Sequence, residues 1–248
     1  MCPDLQTKGA GFDLATAHSE LTSTLLTLES QSVCVRVCRV LQTLLEKKPQ
    51  SMTQWNIELV LNTVCELSSS EHAGDERVPF GWLCKLVEVI IKKHRLRLEG
   101  HHHILLSVMQ ALIRNLIANQ GATDPLGQAM HETKAHLYAR LVTLICEPTA
   151  GAVSRSQHQN ALDSATDAAK RSAGRHMYLV LMQYVKLQLE ADVPRSVREA
   201  LEPAMNSIFD ITPPEVRKIL NDAMDGSGRA ILREMFKRYT KFGKWSGV

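Results

Sequence analysis

Apolar residues recur at three- and four-residue intervals along nearly the whole of this chain, and sustained alternation of apolar with polar residues is confined to Val185–Val193. Such spacing gathers apolar side chains on one stripe of a helix, whereas a half-buried strand requires a period of two. A chain patterned this way has one general solution, helices that bury their stripes against each other. Capping and breaking residues divide the pattern into about eleven helices of roughly 12 to 20 residues, joined by short connections.

Along the chain, Phe12, Leu14, Ala17 and Leu21 begin a stripe that reaches Leu28, weakened by several threonines. Val33, Val37, Val40, Leu41, Leu44 and Leu45 form a second, ended by Lys47, Lys48 and Pro49. Thr53 is placed to cap a third, predicted to bury Trp55, Leu59, Val60 and Val64. Pro79 opens a long helix predicted to run through Trp82, Leu86, Val89 and Ile90 to Leu98, with Lys92, Lys93, His94, Arg95 and Arg97 at its far end. Cations there suit the negative end of the helix dipole, and the same residues would serve nuclear import or an RNA backbone.

After Gly100, His101-His102-His103 lead into a helix carrying Leu105, Val108, Leu112 and Leu116, and Asp124-Pro125 caps and starts one that ends at Cys146. Leu162, Ala165, Ala168 and Ala169 suggest a helix with close backbone contacts before Gly174, and Leu179 to Leu189 make the next stripe. Pro194 starts a helix that Pro203 is expected to bend or split. Thr212-Pro213-Pro214-Glu215 has the spacing of a capping box with proline at the first helical position. Residues 1–11, 68–78 and 149–156 read as a lead-in, a solvated loop and a hinge.

The predicted fold is therefore all-α. Pairs of antiparallel helices recurring about every 40 residues point to a HEAT- or armadillo-like helical-repeat solenoid, with a closed helical bundle as the alternative. Residues 1–98 would be N-terminal helical pairs continuous with the solenoid, and 99–248 a C-terminal helical domain.

With 248 residues, 44% hydrophobic and 22% charged, the chain can bury a sizeable core and is not expected to be disordered. A net charge of +3 is too mild by itself to demand a nucleic acid. Cys2, Cys34, Cys38, Cys65, Cys84 and Cys146 show no zinc-site spacing and read as reduced thiols, which favours an intracellular protein. No apolar run is long enough to span a membrane, so no membrane partner is expected.

Three consecutive histidines point in different directions on a helix and cannot all ligate one metal. There is no phosphate loop, no His-Glu-x-x-His and no Gly-x-Ser-x-Gly elbow. The expectation is a non-catalytic protein with neither metal nor cofactor.

The last stretch carries the sharpest signals. After Asp225, the turn Gly226-Ser227-Gly228 starts a helix whose apolar residues fall at Leu232, Met235, Tyr239 and Phe242, with Ile231 and Phe236 beside them. Arg229, Arg233, Lys237 and Lys241 recur every fourth residue on its flank, joined by Arg238, Lys244 and Trp245. One reading makes this helix the closing piece of a core with a solvated basic face. The other makes those residues a face for RNA or a partner, and Gly226, Ser227 and Gly228 an anion-binding turn of free backbone N–H groups.

Ordered motifs across residues 100 to 248 resemble a known family. Leu220-Asn221, Asp225, Gly228-Arg229-Ala230-Ile231, Tyr239 and Phe242-Gly243-Lys244-Trp245 are similar to the C-terminal signature of the nucleolar pre-ribosomal RNA processing proteins called unhealthy ribosome biogenesis protein two. Tyr178 to Leu189, Val197-Arg198-Glu199-Ala200-Leu201, and His101-His102-His103 leading to Gln110-Ala111-Leu112 follow the same pattern. So do Arg140-Leu141-Val142 with Cys146-Glu147-Pro148, and Ala169-Lys170-Arg171. Members are far longer, so the resemblance implies that this chain corresponds to a C-terminal portion. It also implies a role in the nucleolus during early assembly of the large ribosomal subunit and processing of its precursor RNA. The implied partners are a second large scaffold, a DEAD-box RNA helicase, other assembly factors and precursor ribosomal RNA.

Overall fold

The computed structural model describes residues 13–69, 77–118, 124–148 and 159–243. The described residues form twelve α-helices and no strand. They are α1 (Leu14–Thr27), α2 (Gln31–Lys47), α3 (Gln54–Ser69), α4 (Phe80–Lys93), α5 (Arg95–Leu98), α6 (His102–Ala118), α7 (Pro125–Cys146), α8 (Gln159–Gly174), α9 (Tyr178–Glu190), α10 (Arg195–Ile211), α11 (Pro214–Asp222) and α12 (Gly226–Phe242), with a 3₁₀ turn at Pro49–Ser51. Phe12, the lead-in at 1–11, most of the 68–78 loop and the 149–156 hinge lie outside the described residues, as do the side chains of Leu162 and Ala165. No helix among the described residues is long and apolar enough to cross a membrane.

Nine of these twelve helices stack in two rows. In the first, α1 packs on α3, α3 on α6, α6 on α9, and α9 on α12; in the second, α2 packs on α4, α4 on α7, and α7 on α10. The rows meet through α1 with α2, α3 with α4, α6 with α7 and α9 with α10. One apolar core threads between them, from Leu25 and Leu41 through Ile90, Leu112 and Tyr138 to Val185, Leu201 and Leu232. Tyr138 is wholly buried and its hydroxyl donates to the Met109 carbonyl at 3.0 Å, so the phenol meets the rule that a buried polar tip needs a partner. Cys34, Cys38, Cys84 and Cys146 are buried free thiols, and burial pushes the Cys38 thiol up to about 12.

Local signals set the boundaries where they were strong. Asp13 caps α1 through Ala15 N–H, and Asp124 caps α7 through Gly127 N–H ahead of Pro125. The Thr53 hydroxyl accepts from Asn56 N–H at 3.3 Å and donates to the Asn56 side chain at 2.7 Å, which fixes the start of α3.

Elsewhere the structure corrects the pattern. Trp55 is 48% exposed and Val40 47% exposed: Val60 and Val64 of α3 and Val37, Leu41 and Leu45 of α2 are buried as expected, but Ile57 and Leu61, and Cys34 and Cys38, complete those faces. Pro203 does not split α10, which runs unbroken from Arg195 to Ile211. Residues on both sides of the proline, Leu201 and Met205 among them, are buried in a helix that packs closely on α7, and that packing outweighs one missing hydrogen bond. Thr212 forms no capping box: it ends α10 and returns its hydroxyl to the Ile208 carbonyl at 2.6 Å, so Pro213 takes the N-cap of α11.

The helix predicted to reach Leu98 breaks at His94. That residue is buried with φ −126° and ψ 21°, and its Nε2 lies 2.9 Å from the Leu45 carbonyl at the end of α2. Arg95 beside it donates to the Leu144 and Ile145 carbonyls at the end of α7, at 2.9 and 2.6 Å. The kink thus aims two adjacent side chains at the unsatisfied carbonyl ends of two neighbouring helices in the second row.

Desolvation holds His94, His102 and His131 below the ordinary histidine value of 6.5. All three are therefore neutral in the folded protein over pH values at which the unfolded chain has begun to bind protons. Their contribution to stability is complete above 6.5 and is lost as pH falls toward the depressed folded values. The thermal midpoint is expected to drop as pH falls from about 6.5 to about 5.5, measured by circular dichroism; a flat profile would contradict the desolvated neutral histidines.

A candidate partner-binding face on the terminal helix

Asp225 caps α12 by accepting from Gly228 N–H at 2.7 Å. A Cβ on Gly228 would meet both the Asp225 carboxylate and the Met224 sulfur at 3.0 Å, so the turn closes tightly around that cap. Gly226 and Ser227 are exposed. In this geometry the Gly226-Ser227-Gly228 turn presents the protein's own carboxylate at the N–H that an incoming anion would use. Arg229 beside it is exposed, but its Nε donates back to the Met224 carbonyl at 3.0 Å.

The apolar face of α12 packs within the chain, against α9 and α10. Leu232 and Tyr239 are buried, and Phe209, Phe236 and Tyr239 form an aromatic cluster with centroids 5.3 to 5.7 Å apart. The Tyr239 hydroxyl donates to Asp210. Burial, followed by that hydrogen bond, pushes the phenol up to about 12, so it remains a donor at neutral pH. Phe242, expected on the same stripe, is 64% exposed with Lys241 Nζ 5.0 Å from its ring centroid. The partner surface ends one turn before it.

The basic stripe divides. Arg238 turns toward α10 and pairs with Glu202 at 2.6 Å, an exposed ion pair worth little by itself. Arg233 and Lys237 stay on the other flank, where they border a groove of about 540 Å³. Phe209, Leu220, Leu232 and Phe236 line it, and Arg217 and Lys218 of α11 complete its basic rim. Lys244 and Trp245 lie outside the described residues. Arg217 and Lys218 were not anticipated as site residues. Their signal was present in α11, where cations sit beside the apolar Val216, Ile219 and Leu220, but the turn at 223–225 decides that they face α12.

Two of the three histidines contact residues distant in the sequence. His101 Nδ1 lies 2.8 Å from Glu58, and His102 stacks on His176 with centroids 5.2 Å apart. Among the described residues no group of three or more His, Cys, Asp or Glu is placed to hold a metal.

The family model described as the Urb2/Npa2 family matches residues 35–248, from within α2 through the whole terminal helix. The chain belongs to the Urb2/Npa2 family. No curated protein and no solved structure matches it. The Urb2/Npa2 family is a nuclear family associated with ribosome biogenesis, in agreement with the resemblance carried by the motifs of the second half. Its match also crosses the boundary drawn at residues 98 and 99 and takes in α3 and α4, where few motifs are recognisable by eye.

Proposed function

We propose that this chain is a non-catalytic scaffold for early large-subunit assembly and precursor ribosomal RNA processing in the nucleolus. Its helix pairs form a HEAT- or armadillo-like solenoid, and other assembly factors, including a second large scaffold and a DEAD-box RNA helicase, gather on its surface. The cations left on the flank of α12 meet RNA phosphate or an acidic partner.

The observation that carries this reading is the order of packing. Each helix of a row rests on the helix before it in that row and on one from the other row, so neighbouring pairs bury each other in succession. Stacking of this kind leaves long lateral surfaces open to other molecules. Membership of a ribosome biogenesis family supplies the setting.

The test is purification of the tagged chain from cells, followed by identification of the RNA and proteins that accompany it. Large-subunit precursor RNA and assembly factors are expected to be enriched well above an untagged control. Recovery with cytoplasmic transport factors, and without pre-ribosomal material, would overturn the reading.

A further inference from the structure

We propose that the groove between α11 and α12 is a docking site for an acidic amphipathic helix from a partner protein, seated where a further helix of the second row would stand. The proposal rests on the scaffold reading and specifies the chemistry of one partner. Position is the first argument. In the second row α4 leans on α2 and α3, α7 on α4 and α6, and α10 on α7 and α9. The next helix in that series would lean on α10 and α12. Those are the helices that line the groove, through Phe209 of α10 and through Leu232 and Phe236 of α12, with Leu220 of α11 alongside. Among the described residues, no helix occupies that place.

Charge is the second argument. Arg217, Lys218, Arg233 and Lys237 stand around an apolar floor, and no acidic residue lines the groove. None of the four belongs to an ion pair among the described residues. Like charges gathered around a cleft steer and retain an occupant of opposite sign, and a helix carrying Asp or Glu beside an apolar stripe supplies both halves of the match.

RNA fits less well. Single-stranded RNA gains affinity by stacking bases on open aromatic faces. Phe209 is buried, while Phe236 is wedged against Phe209 and Tyr239 with the Arg217 guanidinium 5.4 Å from its ring centroid. Both rings are engaged with each other, whereas aliphatic side chains at helical spacing can pack on the floor that they form with Leu220 and Leu232.

The experiment places a photo-crosslinking amino acid at Thr240, an exposed groove residue, in the tagged chain within cells, and sequences the crosslinked product by mass spectrometry. The expected product is a segment of another protein with apolar residues at three- and four-residue spacing and acidic residues beside them. The double variant R233E/K237E is expected to lower its yield by about tenfold or more, while R233K/K237R keeps it near the wild-type level. Both positions are exposed, and an unchanged helical spectrum separates loss of binding from loss of fold. Crosslinking to RNA, to residues 244–248 of the same chain or to a second copy would overturn the proposal, as would a yield indifferent to charge reversal. Absence of any crosslink from a chain that still recovers pre-ribosomal particles would overturn the groove alone. An acidic helix captured by a chain that recovers no such particles would uphold the groove and overturn the scaffold reading.

Discussion

Replacing Gly174 with alanine is expected to remove about 3 kcal/mol or more of folding stability, at the severe end of what overpacking costs. A Cβ at that position would stand 2.0 Å from the Ile211 carbonyl oxygen and 3.0 Å from its carbon, with the Pro213 ring at 3.5 Å. The obstacle is backbone rather than a side chain that can rotate away, and Ile211 is held at the last turn of α10. Relief therefore requires α8 and α10 to separate, and the Gly174 end of α8 to lift from the second row. Gly226→Ala is the matching control, since nothing lies within 4 Å of a Cβ there, and its effect should stay within about 0.5 kcal/mol. Urea unfolding midpoints measure both; equal midpoints would mean that the close approach at Gly174 is wrong.

Arg95→Met is expected to cost about 2 to 4 kcal/mol. Methionine keeps much of the aliphatic stem but leaves the Leu144 and Ile145 carbonyls at the end of α7 without the guanidinium that now donates to both. Burial draws the Arg95 pKa below its usual value, but arginine remains charged in the folded protein, so the lost bonds are charge-assisted. Lys93→Met, two residues earlier in the same basic run but exposed, should be nearly neutral. Thermal midpoints that fall by the same amount in the two variants would show that Arg95 acts as a surface charge and not as a cap.

That contrast marks what could be read from the sequence. Helix boundaries set by contiguous residues were readable: Asp124-Pro125 starts α7, Cys146 ends it, and Gly100 separates two helices with a positive φ of 81°. Choices made by distant partners were not. A cation in a run of cations gives no sign that it caps a helix about fifty residues away, as Arg95 does, nor that its neighbour His94 is drawn inward by Leu45. Trp55 and Val40 sit on helices with more than one apolar flank, and the flank turned inward depends on which helix lies across from it. In the candidate site, Arg233 and Lys237 were legible from their four-residue spacing, while Arg229 shared that pattern and Arg238 stood beside it, yet both are engaged within the chain. The other half of the rim, Arg217 and Lys218, belongs to a separate helix and enters only when α11 and α12 fold toward each other.

The attachment of α12 is lighter than that of α6, α7 or α10. Only Gly228, Leu232 and Tyr239 are buried along it, and much of its grip comes from ring contacts, the Tyr239–Asp210 hydrogen bond and the Arg238–Glu202 pair. A segment held so lightly opens at a lower free energy than the body it rests upon, and its amides exchange with solvent accordingly. Any ligand that covers Leu232 and Phe236 must select the closed state, so occupancy and local order rise together. A ligand seated in that groove would thus complete the closure of α12 from outside the chain.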